Sequence, residues 1–129
     1  MDKNQLIKMS EKILEAWNTQ DVESVVGCYT ADVLYRDPNT KGNVNGGAAM
    51  RRYLTKLFAA WKMHWALREV YPFGDTEGGA FLWHASIAKP DGGDAVEVDG
   101  MDLVLLEGGL IRRNDVYFDR AVLAPLLGF

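Results

Sequence analysis

Cysteine is almost missing from this chain: its 129 residues contain one, Cys28, so no internal disulfide can form. Val25, Val26 and Tyr29 flank it, the setting of a packed thiol in a reducing compartment. Long hydrophobic runs are missing too. Stretches such as Leu103–Leu106 fall far short of the roughly 20 apolar residues that span a bilayer. No secretory apolar segment follows the polar start Met1–Gln5, and a soluble, cytoplasmic protein is expected. Positive charge is in deficit, with 14 Lys and Arg against 18 Asp and Glu, net −4. Nucleic acid and anionic membrane surfaces need clustered Lys and Arg, so neither is expected as a partner. The two histidines, His64 and His84, are not at metal-ligand spacing, and no metal is expected. Neither G-x-x-x-x-G-K nor G-x-G-x-x-G occurs, and Ser86 sits in no nucleophile elbow.

What is present is a globular balance, 48% hydrophobic and 25% charged, with no repeat, linker or low-complexity tract. A single domain over 1–129 is expected. Leu6, Met9, Ile13 and Trp17 recur at helical spacing. Asn18-Thr19-Gln20 breaks that helix, and Asp21 is placed to cap a second one carrying Val22, Val25, Val26 and Tyr29. A short strand, 33–37, ends at Pro38, which cannot donate to a ladder. Residues 39–47 read as loop, and Asn45 as the cap of a third helix with the stripe Met50, Tyr53, Leu54, Leu57, Phe58 and Trp61. The second half reads as four strands. The first carries Met63, Trp65, Leu67 and Tyr71 on one face; the others cover 81–89, about 96–106 and 110–118, joined by turns at Pro90–Asp94 and Glu107–Gly109. The apolar tail, 120–129, is expected to pack on the body. This order implies an α+β domain with a mostly antiparallel sheet and helices on one face.

Two aspartates stand out. By alternation Asp102 shares a strand face with Val98, Val104 and Leu106, while Glu97 and Asp99 face the other way. A carboxyl among apolar neighbours resists ionisation and, if protonated, could donate to a developing oxyanion; the plain alternative is a carboxylate paired with Arg or Lys. Asp37 shares a face with Val33 and Tyr35 and could act as a general base, or simply open an Asp-Pro turn. The many large aromatics suit either a dense core or a lined pocket.

Trp17-Asn18-Thr19-Gln20-Asp21, Tyr29-Thr30-Ala31-Asp32, Asp37-Pro38, Gly46–Arg51, Glu107–Ile111 and Asp115–Asp119, in this order and spacing, resemble the nuclear transport factor 2-like superfamily. Within it the chain is most similar to the SnoaL-like and ketosteroid-isomerase-like branch. The resemblance covers nearly the whole chain. It implies a cone-shaped roll of the cystatin-like kind: a strongly curved sheet wrapped around three helices from the N-terminal half, enclosing one pocket. It also implies a homodimer through the outer sheet face, with His64, Ala66, Arg68, Leu82, His84, Leu103 and Leu105 in that surface. Asp37, followed by Pro38, matches the family's general base, and Asp102 its protonated oxyanion donor. The family's oxyanion tyrosine on the first helix falls at Ile13 here, and losing one such donor typically costs on the order of a hundred- to a thousandfold.

The leading expectation is therefore an isomerase- or polyketide-cyclase-type enzyme acting on a small apolar carbonyl compound. Asp37, Asp102 and Tyr53 would be catalytic, with Trp17, Tyr35, Trp61, Phe81, Trp83, Asn114 and Phe118 lining the pocket. No cofactor is required, because proton transfer alone suffices. The alternatives are a non-catalytic binder of a small ligand and a dimeric association module.

Overall fold

The computed structural model describes residues 1–128. The first helix, α1 (Lys3–Thr19), is entered through a capping box. Asp2 accepts from the Gln5 amide at 2.8 Å, while the Gln5 side chain accepts from the Asp2 amide at 2.8 Å. Its buried stripe is Leu6, Ser10, Ile13, Leu14 and Trp17, turned slightly from the expected one, so that Met9 is only half-buried. The helix ends where Gln20 adopts a left-handed conformation at φ 53°. Asp21 caps α2 (Val22–Val26) as expected, accepting from the Ser24 amide at 2.9 Å.

Strand β1 (Tyr29–Arg36) begins earlier than the sequence suggests and ends just before Asp37. A two-residue strand, β2 (Val44–Asn45), occupies part of the expected loop and leads into α3 (Gly46–Ala60). Asn45 stands at the helix start, but its side chain makes no capping hydrogen bond. Four strands follow: β3 (Lys62–Pro72), β4 (Gly78–Lys89), β5 (Gly92–Glu107) and β6 (Leu110–Tyr117). A 3-10 helix, Arg120–Leu127, closes the chain and buries Leu123 and Leu126. That is the packed tail, apart from Phe129, which lies outside the described residues.

The six strands form one sheet in the order β2-β1-β6-β5-β4-β3. Every neighbouring pair is antiparallel except β1–β6, which is parallel and joins the first strand to the last, a pairing that only a long connection permits. The helices cover one face, α1 against β3 and α3 against β1. The architecture is the expected curved α+β roll. One strand departs from simple alternation. A bulge between Leu67 and Glu69 shifts the register of β3, so Val70 turns inward and Tyr71 is 55% exposed rather than on the face of Met63 and Trp65. No helix among the described residues is long and apolar enough to cross a membrane.

Candidate active site

Alternation along β5 turns Val98, Asp102, Val104 and Leu106 into the roll. Asp102 is 6% exposed, and its two oxygens meet donors only. The Trp83 indole donates to Oδ1 at 2.8 Å, and the Asn114 amide donates to Oδ2 at 3.0 Å. The contacts continue outward: Tyr29 donates to Asn114 Oδ1 at 2.8 Å, and the Trp17 indole donates to the Tyr29 hydroxyl at 3.3 Å. Trp83 can lie over β5 because Gly100 faces it in the ladder. A Cβ there would sit 2.4 Å from the ring and 2.7 Å from the Tyr117 carbonyl. Burial lifts the Asp102 carboxyl to about 6, against the pull of its two hydrogen bonds.

Asp37 lies in a different setting, in the turn after β1. Tyr35, two residues earlier on the strand, donates to Oδ2 at 2.6 Å. Tyr53, from the inner face of α3, donates to the same oxygen. The backbone amides of Asn39 and Thr40 donate to Oδ1 at 2.7 and 3.1 Å. A carboxylate has about four lone-pair sites, and here all are taken. Both phenols are held protonated, first by burial and then by the Asp37 charge beside them. Asp102 keeps two of its sites open.

Two neighbouring voids adjoin these acids. The outer one offers about 40 Å³ to the centres of water-sized spheres and touches Asp37. The inner one offers about 30 Å³ and touches Asp102. Tyr35, Trp17, Trp65, Trp83 and Val116 border both, so the two voids share a wall of five side chains, with Asp37 on one and Asp102 on the other. The rings interlock rather than leaving a deep open cone: Trp17 stacks on Tyr35 at 5.9 Å and meets Trp65 edge-on at 5.4 Å. As it stands the cavity holds a few waters, well below the hundreds of cubic ångströms usual for drug-sized ligands.

Of the expected lining, Trp17, Tyr35, Trp61, Trp83 and Phe118 border the voids. Tyr53 reaches them only through Asp37. Phe81 and Asn114 do not border them: Phe81 is fully buried in the core, and the Asn114 amide is turned onto Asp102 and Tyr29. Trp65, Asn39 and Tyr29 were not foreseen as site residues. Trp65 shares a strand face with Met63, so alternation could have found it; the Tyr29–Asn114 contact spans 85 positions, with no local signal.

This architecture, a curved sheet over helices with a carboxyl-bearing cavity, is that of the nuclear transport factor 2-like, cystatin-like folds. The chain belongs to the SnoaL-like domain family, whose profile matches residues 10–114. Solved structures share the fold at low identity. A suspected isomerase from Bacillus subtilis is 14% identical with a TM-score of 0.86, over 99% of this chain and 96% of that one. SalBIII, an epoxide hydrolase/cyclase-like enzyme of pyran ring formation in the polyether salinomycin, is 20% identical with a TM-score of 0.78, over 92% and 93%. A computationally designed 17-OHP binder is 18% identical with a TM-score of 0.77, over 94% and 97%. No curated protein matches the sequence significantly.

Proposed function

We propose that this protein is a cofactor-independent enzyme of isomerase or cyclase type, which moves a proton on a small hydrophobic carbonyl compound. The observation that carries this reading is Asp102: a buried carboxyl at the inner end of an aromatic cavity, with two open acceptor sites and a proton affinity near neutral pH. An acid–base catalyst works best when its pKa lies near the working pH. The geometry supports a role for Asp102 opposite to the one the family resemblance implies. Asp102 takes the proton from the carbon beside the carbonyl, and the C–H electron pair moves onto the carbonyl oxygen. Tyr35 and Tyr53 give their hydroxyl protons to Asp37, so they brace that carboxylate rather than donate to the carbonyl oxygen. The enolate is then reprotonated at another carbon, or attacks a second carbonyl and closes a ring. Asp37, with every lone pair engaged, does not accept the proton. A substrate enters by displacing the half-buried rings of Trp61 and Phe118.

Deuterium exchange at the α-carbon of small cyclic ketones, followed by NMR in D2O, tests this. Asp102→Asn should slow protein-catalysed exchange by about 100- to 10,000-fold. Loss on Asp37→Asn with full exchange in Asp102→Asn would restore the family's assignment. Full exchange in both variants would remove carboxylate catalysis. A second reading, a non-catalytic small-ligand binder, is favoured by buried Ile13 in place of the family's tyrosine. We also propose that the outer sheet face pairs two copies of the chain, supported by the half-buried strip of Leu82, Met101, Leu103 and Leu105 beside exposed Tyr117.

A further inference from the structure

The lining of the cavity has one sign of charge. Asp37 borders the outer void and Asp102 the inner one, and among the described residues bordering either there is no Lys, Arg or His. Neither carboxylate is ion-paired among the described residues. The contacts on both are neutral donors: indole, amide and phenol groups. Cations stand outside. Arg120 donates to Asn39 Oδ1 at 2.8 Å at the rim, and Lys62 and His64 border a separate open groove beyond Trp61. Six aromatic rings, Trp17, Tyr35, Trp61, Trp65, Trp83 and Phe118, line the outer void together with Leu57, Met63, Ile87, Val116 and Leu123.

We propose that this cavity selects a small organic cation, a substituted ammonium head group, over neutral molecules of the same shape. Aromatic faces attract a desolvated ammonium through their quadrupoles. Two carboxylates in a water-poor cavity add a field that favours positive charge and repels anions. The free space also fits: about 40 Å³ and 30 Å³ for the centres of water-sized spheres suits a head group of a few heavy atoms rather than a fused ring system. The inference concerns binding and does not rest on proton transfer; a receptor without activity would show the same preference. If the protein is an enzyme, an ammonium beside the substrate carbonyl would offset the enolate charge that the two acids otherwise oppose.

All four tryptophans of the chain border the outer void, so their fluorescence reports occupancy directly. The intact protein is titrated at neutral pH with choline, with its neutral isostere 3,3-dimethylbutan-1-ol, and with the anion 3,3-dimethylbutanoate. Choline should bind about tenfold or more tighter than the alcohol, and the butanoate weakest. In Trp61→Leu and in Asp37→Asn the preference for choline over the alcohol should shrink several-fold. Trp61 is half-buried at the rim, so Trp61→Leu decides if Asp37→Asn does not fold. An alcohol that binds as tightly as choline, a butanoate that binds tighter, or no quenching by choline would each overturn the proposal. Loss of ketone exchange in Asp102→Asn together with equal binding of choline and the alcohol would sink this inference while leaving the proposed chemistry standing.

Discussion

Asp102 opposes folding at the pH where it is ionised. Its carboxyl rises from an ordinary 3.8 to about 6 on folding, chiefly through burial. The folded protein therefore holds this proton more tightly than the unfolded chain between those two values. The stability it contributes is fully present below pH 3.8 and is lost as pH rises through about 6, a change on the order of 3 kcal/mol. Other carboxylates act in the opposite sense: Glu97 and Asp99 are lowered, first by the His84 hydrogen bond. A variant comparison isolates the buried acid. Asp102→Asn, which cannot ionise, should lack this pH dependence: its melting temperature relative to wild type should rise between pH 4 and pH 8. Melting curves across that range check it; a gap independent of pH would show that Asp102 is not the titrating group.

At the scale of elements, the cavity wall depends on two backbone arrangements. The first is the pairing of Trp83 on β4 with Gly100 on β5. An added Cβ would meet Trp83 ring carbons at 2.4 and 2.5 Å and the Tyr117 carbonyl at 2.7 Å. Gly100→Ala should therefore push the indole off Asp102 and cost about 1–3 kcal/mol through overpacking. Thermal melts would give the cost, and the indole Nε1–H signal of Trp83 in NMR should move toward its solvent position. The second arrangement is the end of α1. Asn18 both donates to and accepts from the Trp65 backbone, at 2.9 and 2.7 Å, and Gln20 accepts from the Met63 amide at 2.6 Å. These side chains occupy the outer edge of β3, which would otherwise offer unpaired groups to another strand. They also hold Met63 and Trp65 at the cavity. In the sequence the same residues read only as a helix stop.

At the scale of the molecule, the two sheet faces divide the work. The inner face carries the cavity. The outer face carries Leu82, Met101, Leu103 and Leu105, beside a polar cluster in which His84 lies 2.9 Å from Glu97 and 2.8 Å from Asp99, with Arg68 3.6 Å from Asp99. If this face pairs two copies, Leu103→Arg should convert a dimer to a monomer at micromolar concentration without changing the circular dichroism spectrum. Sedimentation velocity reads the outcome; a wild type that is monomeric at the same concentration would refute the pairing.

Periodicity and turn chemistry alone determined the order of the helices and main strands, the inward face of β5 and the cap at Asp21, because each is set by residues within a few positions of one another. The short β2, the bulge that exchanges Val70 for Tyr71, and the parallel β1–β6 pairing were decided by long-range register, which local pattern does not encode. The same holds for the site. Alternation placed Asp102 and Tyr35 on inward faces. Only the tertiary structure joined Asp102 to Trp83 and Asn114, and Asp37 to Tyr53. It also filled the cone with interlocking rings, because the free volume of a cavity is a property of how side chains from many elements pack together, and no single segment contains it.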